Sequence, residues 1–134
     1  MTDKRIYILV PETVQVSVAP TFPESEPEIR SFKMVPGRLI AQGVHVGRRL
    51  GNWHFNRQNP EITTITLSVR NTKELRKVSD EVVNLLYKTD IPYEEFHDSN
   101  PGFYGTDDRV HTITGFGPVT REEVESAISH LELY

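Results

Sequence analysis

TTITLSVRNTKELRKVSDEVVNLL, residues 63–86, carries the two periodicities from which the fold is read. Within Ile62–Val69, Ile65, Leu67 and Val69 recur at every second position, the pattern of a strand with one buried face. Asn71, with Glu74 three residues on, is a helix-capping signature. Leu75, Val78, Val82 and Leu85/Leu86 then recur at helical spacing. The period changes from 2 to 3.6 with no loop between, so a strand feeds directly into a helix.

Upstream of this unit, Pro36-Gly37 opens a second helical stretch, GRLIAQGVHVGRRLG, with Leu39, Ile40, Val44 and Val46 as apolar bulk and Gly51 as the expected C-terminal cap. Gly43 and Gly47 lie four apart, which points either to close approach by a neighbouring element or ligand, or to ordinary helix-on-sheet contact. Nearer the N-terminus, Ile6–Val10 is a short β-branched apolar run, expected to be a buried strand ended by Pro11. Residues 11–36 hold five of the nine prolines and read as a Pro-rich insertion, either an ordered excursion or partly mobile. Val14, Val16 and Val18 alternate within it as a short edge strand.

Downstream, Pro92 follows the helix and Tyr93–His97 reads as a third strand. Asp98–Arg109 is rich in turn residues and reads as a loop. Val110–Phe116 is a fourth strand, closed by Gly117-Pro118, and Thr120 with Glu123 caps a last helix whose Val124, Ile128 and Leu131 face inward. The order β, α, β, α, β, β, α predicts a single α/β domain spanning 1–134, with a mixed four-stranded sheet flanked by helices.

Composition narrows the chemistry. At 134 residues the chain fits one domain that needs no staple. The absence of cysteine excludes a disulfide framework, a thiolate metal site and a cysteine nucleophile. Ile6–Val10 is too short for a signal-peptide core or a membrane span, so a soluble, cytoplasmic protein with no membrane partner is expected. The net charge is −4, yet residues 29–60 carry six basic side chains (Arg30, Lys33, Arg38, Arg48, Arg49, Arg57) and no acid. The remainder, with nine basic and nineteen acidic residues, carries −10. Such a segment either presents an anionic ligand with a basic face or is simply a solvated basic helix.

No P-loop, zinc-protease, nucleophile-elbow or dinucleotide motif is present, and no cofactor is expected. His45, His54, His97, His111 and His130 show no spacing specific to a metal, and no metal ligand is assigned. His97 and His111, on adjacent strands beside Asp98, form the one conceivable set. Two places can carry chemistry. Arg38, Gln42 and His45 share one face at a helix start, where a cation and backbone N–H groups can hold a phosphate or a developing oxyanion. The plainer reading there is a solvent-facing arginine and a hydrogen-bonded histidine. Asp98 ends a strand, as a general base or as a turn cap.

These residues resemble a known family. Gly37-Arg38-Leu39-Ile40-Ala41-Gln42-Gly43-Val44-His45 is similar to the Gly-Lys-x-Ala-Ala-Gln-x-x-His stretch of type 2 peptidyl-tRNA hydrolases. The likeness continues through TTITLSVRNTKEL, resumes at His97-Asp98 and ends in Thr112-Ile113-Thr114-Gly115-Phe116-Gly117-Pro118, similar to the family's T-V-L-G-I-G-P. It covers residues 4–10 and 37–134 in the same element order.

The resemblance implies the family's fold and cleavage of the ester between a peptide and the 3′-terminal ribose of tRNA. It implies Arg38, Asp98 and Thr112 as catalytic residues. Asp98 would orient or deprotonate water, Arg38 would steady the oxyanion or a phosphate, and Thr112 would hydrogen-bond within the site. Gln42, His45, Arg48, Arg49 and Arg57 are the expected substrate-binding residues, tRNA the partner, and a homodimer the assembly. The sequence departs from the family at Arg38, where the family has lysine, and at Ser99-Asn100-Pro101-Gly102, where it has Ala-Gly-Arg-Thr. The Asp98-to-Thr112 loop is also about two residues longer, and the 11–36 insertion replaces a short connection. A catalytically silent relative that binds RNA or a protein through the same face is the competing expectation. An unrelated small-molecule enzyme on the same fold is the third.

Overall fold

The computed structural model describes residues 4–19, 26–34, 36–53 and 62–134. The elements are β1 (Lys4–Val18), β2 (Glu28–Phe32), α1 (Pro36–Trp53), β3 (Thr64–Asn71), α2 (Thr72–Leu86), β4 (Tyr93–Asp98), α3 (Pro101–Tyr104), β5 (Val110–Thr120), α4 (Arg121–Ile128) and β6 (Glu132–Leu133). The strands form one mixed sheet in the order β4-β5-β1-β3-β6, with β2 paired to β1. Among the described residues β1 and β3 run parallel and the other pairs are antiparallel. The α/β class is as the sequence predicts, but among the described residues the sheet has six strands rather than four.

Alternation along β1 divides the core. Tyr7 and Leu9 pack with Leu75, Val78 and Val82 of α2 and Val124 and Ile128 of α4. Ile8 and Val10, pointing the other way, pack with Val46 and Leu50 of α1 and Ile113 of β5. The sheet therefore carries α1 on one face and α2 with α4 on the other. No helix among the described residues is long and apolar enough to cross a membrane.

Several boundaries differ from expectation. Pro11 does not end the first strand: β1 continues to Val18, with Pro11 opposite Val69 of β3. The last β1–β5 pair is Leu9 with Thr114, so the missing proline N–H interrupts no rung to β5. The Val14–Val18 alternation is thus the second half of β1, paired with β2 and packed on Met34, Tyr104 and Val110. Within its described residues the 11–36 insertion supplies the second half of β1 and all of β2.

Gly51 does not cap α1, which runs on to Trp53. Gly117-Pro118 does not close β5, which crosses a cis peptide there and continues to Thr120. The two-residue β6, paired with β3, carries no signal in the sequence.

Capping at α2 follows the sequence. Asn71 accepts a hydrogen bond from the Glu74 N–H at 3.0 Å, and the Glu74 carboxylate reaches back to the Arg70 N–H at 3.0 Å. Asn71→Ala is expected to cost about 1 kcal/mol of stability, read from a denaturant midpoint, because one helix N–H loses its acceptor. An unchanged midpoint would show that the cap contributes nothing.

The close approach anticipated at Gly43 and Gly47 lies elsewhere. A Cβ at either position would meet nothing within 4 Å. The tight contact is across the interface at Gly115 of β5, where a Cβ would lie 2.3 Å from Val46, 3.0 Å from Ile8 and 3.1 Å from Leu50. Gly115 lets α1 settle directly on the sheet.

Candidate active site on the α1 face

Alternation along β4 sends Phe96 and Asp98 toward α1 and Tyr93, Glu95 and His97 toward α2. The register of β4 with β5 shifts between Phe96 and His97: Phe96 pairs with Ile113 and His97 with His111, leaving Thr112 as the extra residue of a bulge. A bulge re-aims a side chain without ending a strand. Here it turns Thr112 to the α1 side, the same side as Ile113, while His111 stays on the α2 side.

On the α1 face four residues from three elements meet. The Arg38 guanidinium pairs with Asp98 Oδ2 at 3.1 Å, and Gln42 Nε2 donates to the same oxygen at 3.2 Å. The other end of the Gln42 amide, Oε1, accepts from the Thr112 hydroxyl. Gln42 and Thr112 are buried, whereas the Arg38 and Asp98 side chains keep 25% and 19% of their surface open to solvent. A pinned polar interior thus supports a charged pair that a ligand can reach.

The turn after β4 adds two residues that sequence reading missed. Ser99-Asn100-Pro101-Gly102 is not plain loop but the entry to α3. Asn100 caps it by accepting from the Phe103 N–H at 3.1 Å, and Gly105 closes it at φ 74°. This single turn returns Tyr104 to the site, where its hydroxyl donates to Asp98 Oδ2 at 2.8 Å. Burial, and then the Asp98 charge, push the Tyr104 hydroxyl up to about 12, so it remains a donor at neutral pH. Phe103 lies under the Arg38 guanidinium, 4.5 Å from ring centroid to charge centre. The signal was present in the sequence: Asn at the cap, Pro at the first helical position and Gly just past the end.

The other expected binding residues lie around this centre. His45 is exposed and stacks on Phe96, ring centroids 5.3 Å apart. Arg49 donates to the Glu95 carbonyl at 3.3 Å and lies over the Phe96 ring, so it also ties α1 to β4. Arg48 is exposed on the same helix. Arg57 lies outside the described residues.

The α2 face of the same hairpin holds a second polar cluster. The carboxylate near His97 and His111 is Glu95, not Asp98, which points to the opposite side. His97 Nε2 is 2.8 Å from Glu95 Oε1, and the two imidazoles stack with centroids 4.8 Å apart. Burial pushes His111 down to about 4, leaving it neutral. Burial also works to raise Glu95, but hydrogen bonds from Tyr93 and His97 and the charge of Arg76 outweigh it and hold the carboxyl below its usual range.

No protein-family model matches this chain, and a search of curated proteins finds no match.

Proposed function

We propose that the chain is a peptidyl-tRNA hydrolase of the type 2 kind, cleaving the ester between a peptide and the 3′-terminal ribose of tRNA. One observation carries the proposal: Arg38, Gln42, Asp98 and Thr112, singled out by resemblance and dispersed over 75 positions, form one hydrogen-bonded cluster.

The chemistry suits an acyl ester. Water held by Asp98 attacks the ester carbonyl, forming the new C–O bond as its proton passes to the carboxylate. Arg38, steadied by Phe103, meets the charge developing on the carbonyl oxygen. The bond to the ribose 3′ oxygen then breaks, and that oxygen takes up the proton. Gln42, clamped between Asp98 and Thr112, fixes the carboxylate's orientation.

A planar guanidinium in place of the family's ammonium keeps the cation but changes its shape. The second reading, a silent relative that binds RNA, draws on one feature: Arg38, Gln42 and Tyr104 all direct their donors to a single oxygen of Asp98. Release of a blocked aminoacyl group from tRNA by the wild type and Arg38→Lys separates the readings. The hydrolase reading expects turnover by the wild type, with Arg38→Lys keeping the cation but losing the planar stack on Phe103. A silent wild type that gains turnover as Arg38→Lys supports the second reading.

Docking of tRNA on α1 gives a further expectation. Arg48 and Arg49, neutralising backbone phosphates, make affinity fall by about 0.7–0.9 log unit per log unit of salt for each contact. Arg48→Glu with Arg49→Glu is expected to weaken binding and flatten this slope. Binding that ignores both salt and the double substitution contradicts the docking.

A further inference from the structure

The cluster on the α2 face takes no part in the ester chemistry. Glu95, His97 and His111 each offer one donor atom, and the three atoms lie within 4.8 Å of one another. Glu95 Oε1 is at the centre, 2.8 Å from His97 Nε2 and 3.9 Å from His111 Nε2. The residues come from adjacent antiparallel strands, so the backbone fixes their spacing whatever the side chains do.

The surroundings are those of a ligating set. Glu95 is anchored at its other oxygen by the Tyr93 hydroxyl. His111 is almost wholly buried, and its Nε2 contacts the Thr114 hydroxyl at 2.7 Å. That hydroxyl also bonds Ser79 at 2.7 Å, so it keeps a partner if His111 turns its nitrogen to a metal. His97 and His111 line a cleft of about 270 Å³ together with Thr72, Arg76 and Arg109, which gives the two imidazoles access from solvent.

One cation is already present: Arg76 Nη1 lies 3.6 Å from Glu95 Oε1 and 3.3 Å from His111 Nδ1. It is half-exposed and can swing outward.

We propose that Glu95, His97 and His111 bind one divalent transition-metal ion, with remaining coordination positions open to the cleft and Arg76 as the charge that the ion displaces. Two imidazoles and a carboxylate suit zinc or cobalt rather than calcium or magnesium, which prefer all-oxygen sets. This site is on the opposite face of the hairpin from Asp98 and does not depend on the hydrolase reading.

Calorimetric titration of the full chain with zinc chloride, and absorption spectra with cobalt(II), test it. The expected result is saturable one-to-one binding, with visible cobalt bands of a low-coordinate nitrogen–oxygen site. His97→Ala and Glu95→Gln should each weaken binding at least about tenfold. Arg76→Ala should tighten it about fivefold, since it removes a like charge. The opposite signs separate ligation from loss of fold, because a variant that merely loosens the structure does not gain affinity. Absence of one-to-one binding in the wild type overturns the proposal. So does undiminished binding by folded His97→Ala and Glu95→Gln, or weaker binding by Arg76→Ala.

Discussion

Asp98→Asn is expected to slow ester release by about 10²–10⁴-fold while leaving tRNA affinity within about twofold, because it removes a positioned base but no phosphate contact. The substitution is nearly isosteric. An asparagine carbonyl can still accept from Tyr104 and Gln42, so the bonds that hold α3 and α1 to the end of β4 have a replacement acceptor. What disappears is the negative charge facing Arg38. That pair is three-quarters or more buried, so its loss should lower the unfolding free energy by about 1–3 kcal/mol, which a denaturant midpoint measures separately from the rate. Rate and stability are thereby separated: a large kinetic loss in a folded, tRNA-binding protein marks Asp98 as a participant. An equally fast variant removes it from the mechanism.

Gly115→Ala is expected to destabilise the fold by about 1–3 kcal/mol and to slow ester release at the same time. The added methyl would stand 2.3 Å from Val46 Cγ1, and a β-branched side chain in a packed core has little room to turn. Relief requires α1 to move off the sheet. Arg38, Gln42, Val46 and Leu50 follow one another at four-residue intervals down the sheet-facing side of α1. A lifted helix therefore carries Gln42 away from Thr112 and Arg38 away from Asp98. Gly43→Ala on the same helix is the control, since its methyl meets open space and should stabilise by about 0.5–1 kcal/mol. Denaturant midpoints and release rates on both variants check the pair; a neutral Gly115→Ala would mean that α1 is not seated as described.

The legible and illegible parts of the molecule divide along physical lines. Strand-then-helix at 63–86 was legible because three alternating apolar residues carry the strand period, five carry the helical one, and the junction is capped by Asn71. Pro11 misled because proline usually ends a strand; it is tolerated here beyond the last β5 rung, a fact of pairing that no local pattern contains. Thr112 was found through resemblance, but its place beside Gln42 depends on the bulge, which simple alternation does not show.

The identity of the carboxylate near His97 and His111 was readable and was misread. His97 and Asp98 are consecutive in a strand and must face opposite ways, whereas Glu95 shares the face of His97. Tyr104 and Phe103 were likewise signalled by the Asn-Pro start and glycine end of their turn. Their contacts with Asp98 and Arg38 arise only once that turn is folded against α1.

Single-turnover release of a blocked aminoacyl group from tRNA, with the protein in excess, tests the central claim most directly. The expected result is release by the wild type far above the spontaneous rate, falling to near that rate in Asp98→Asn. Saturated tRNA binding with no acceleration of release by the wild type would contradict it.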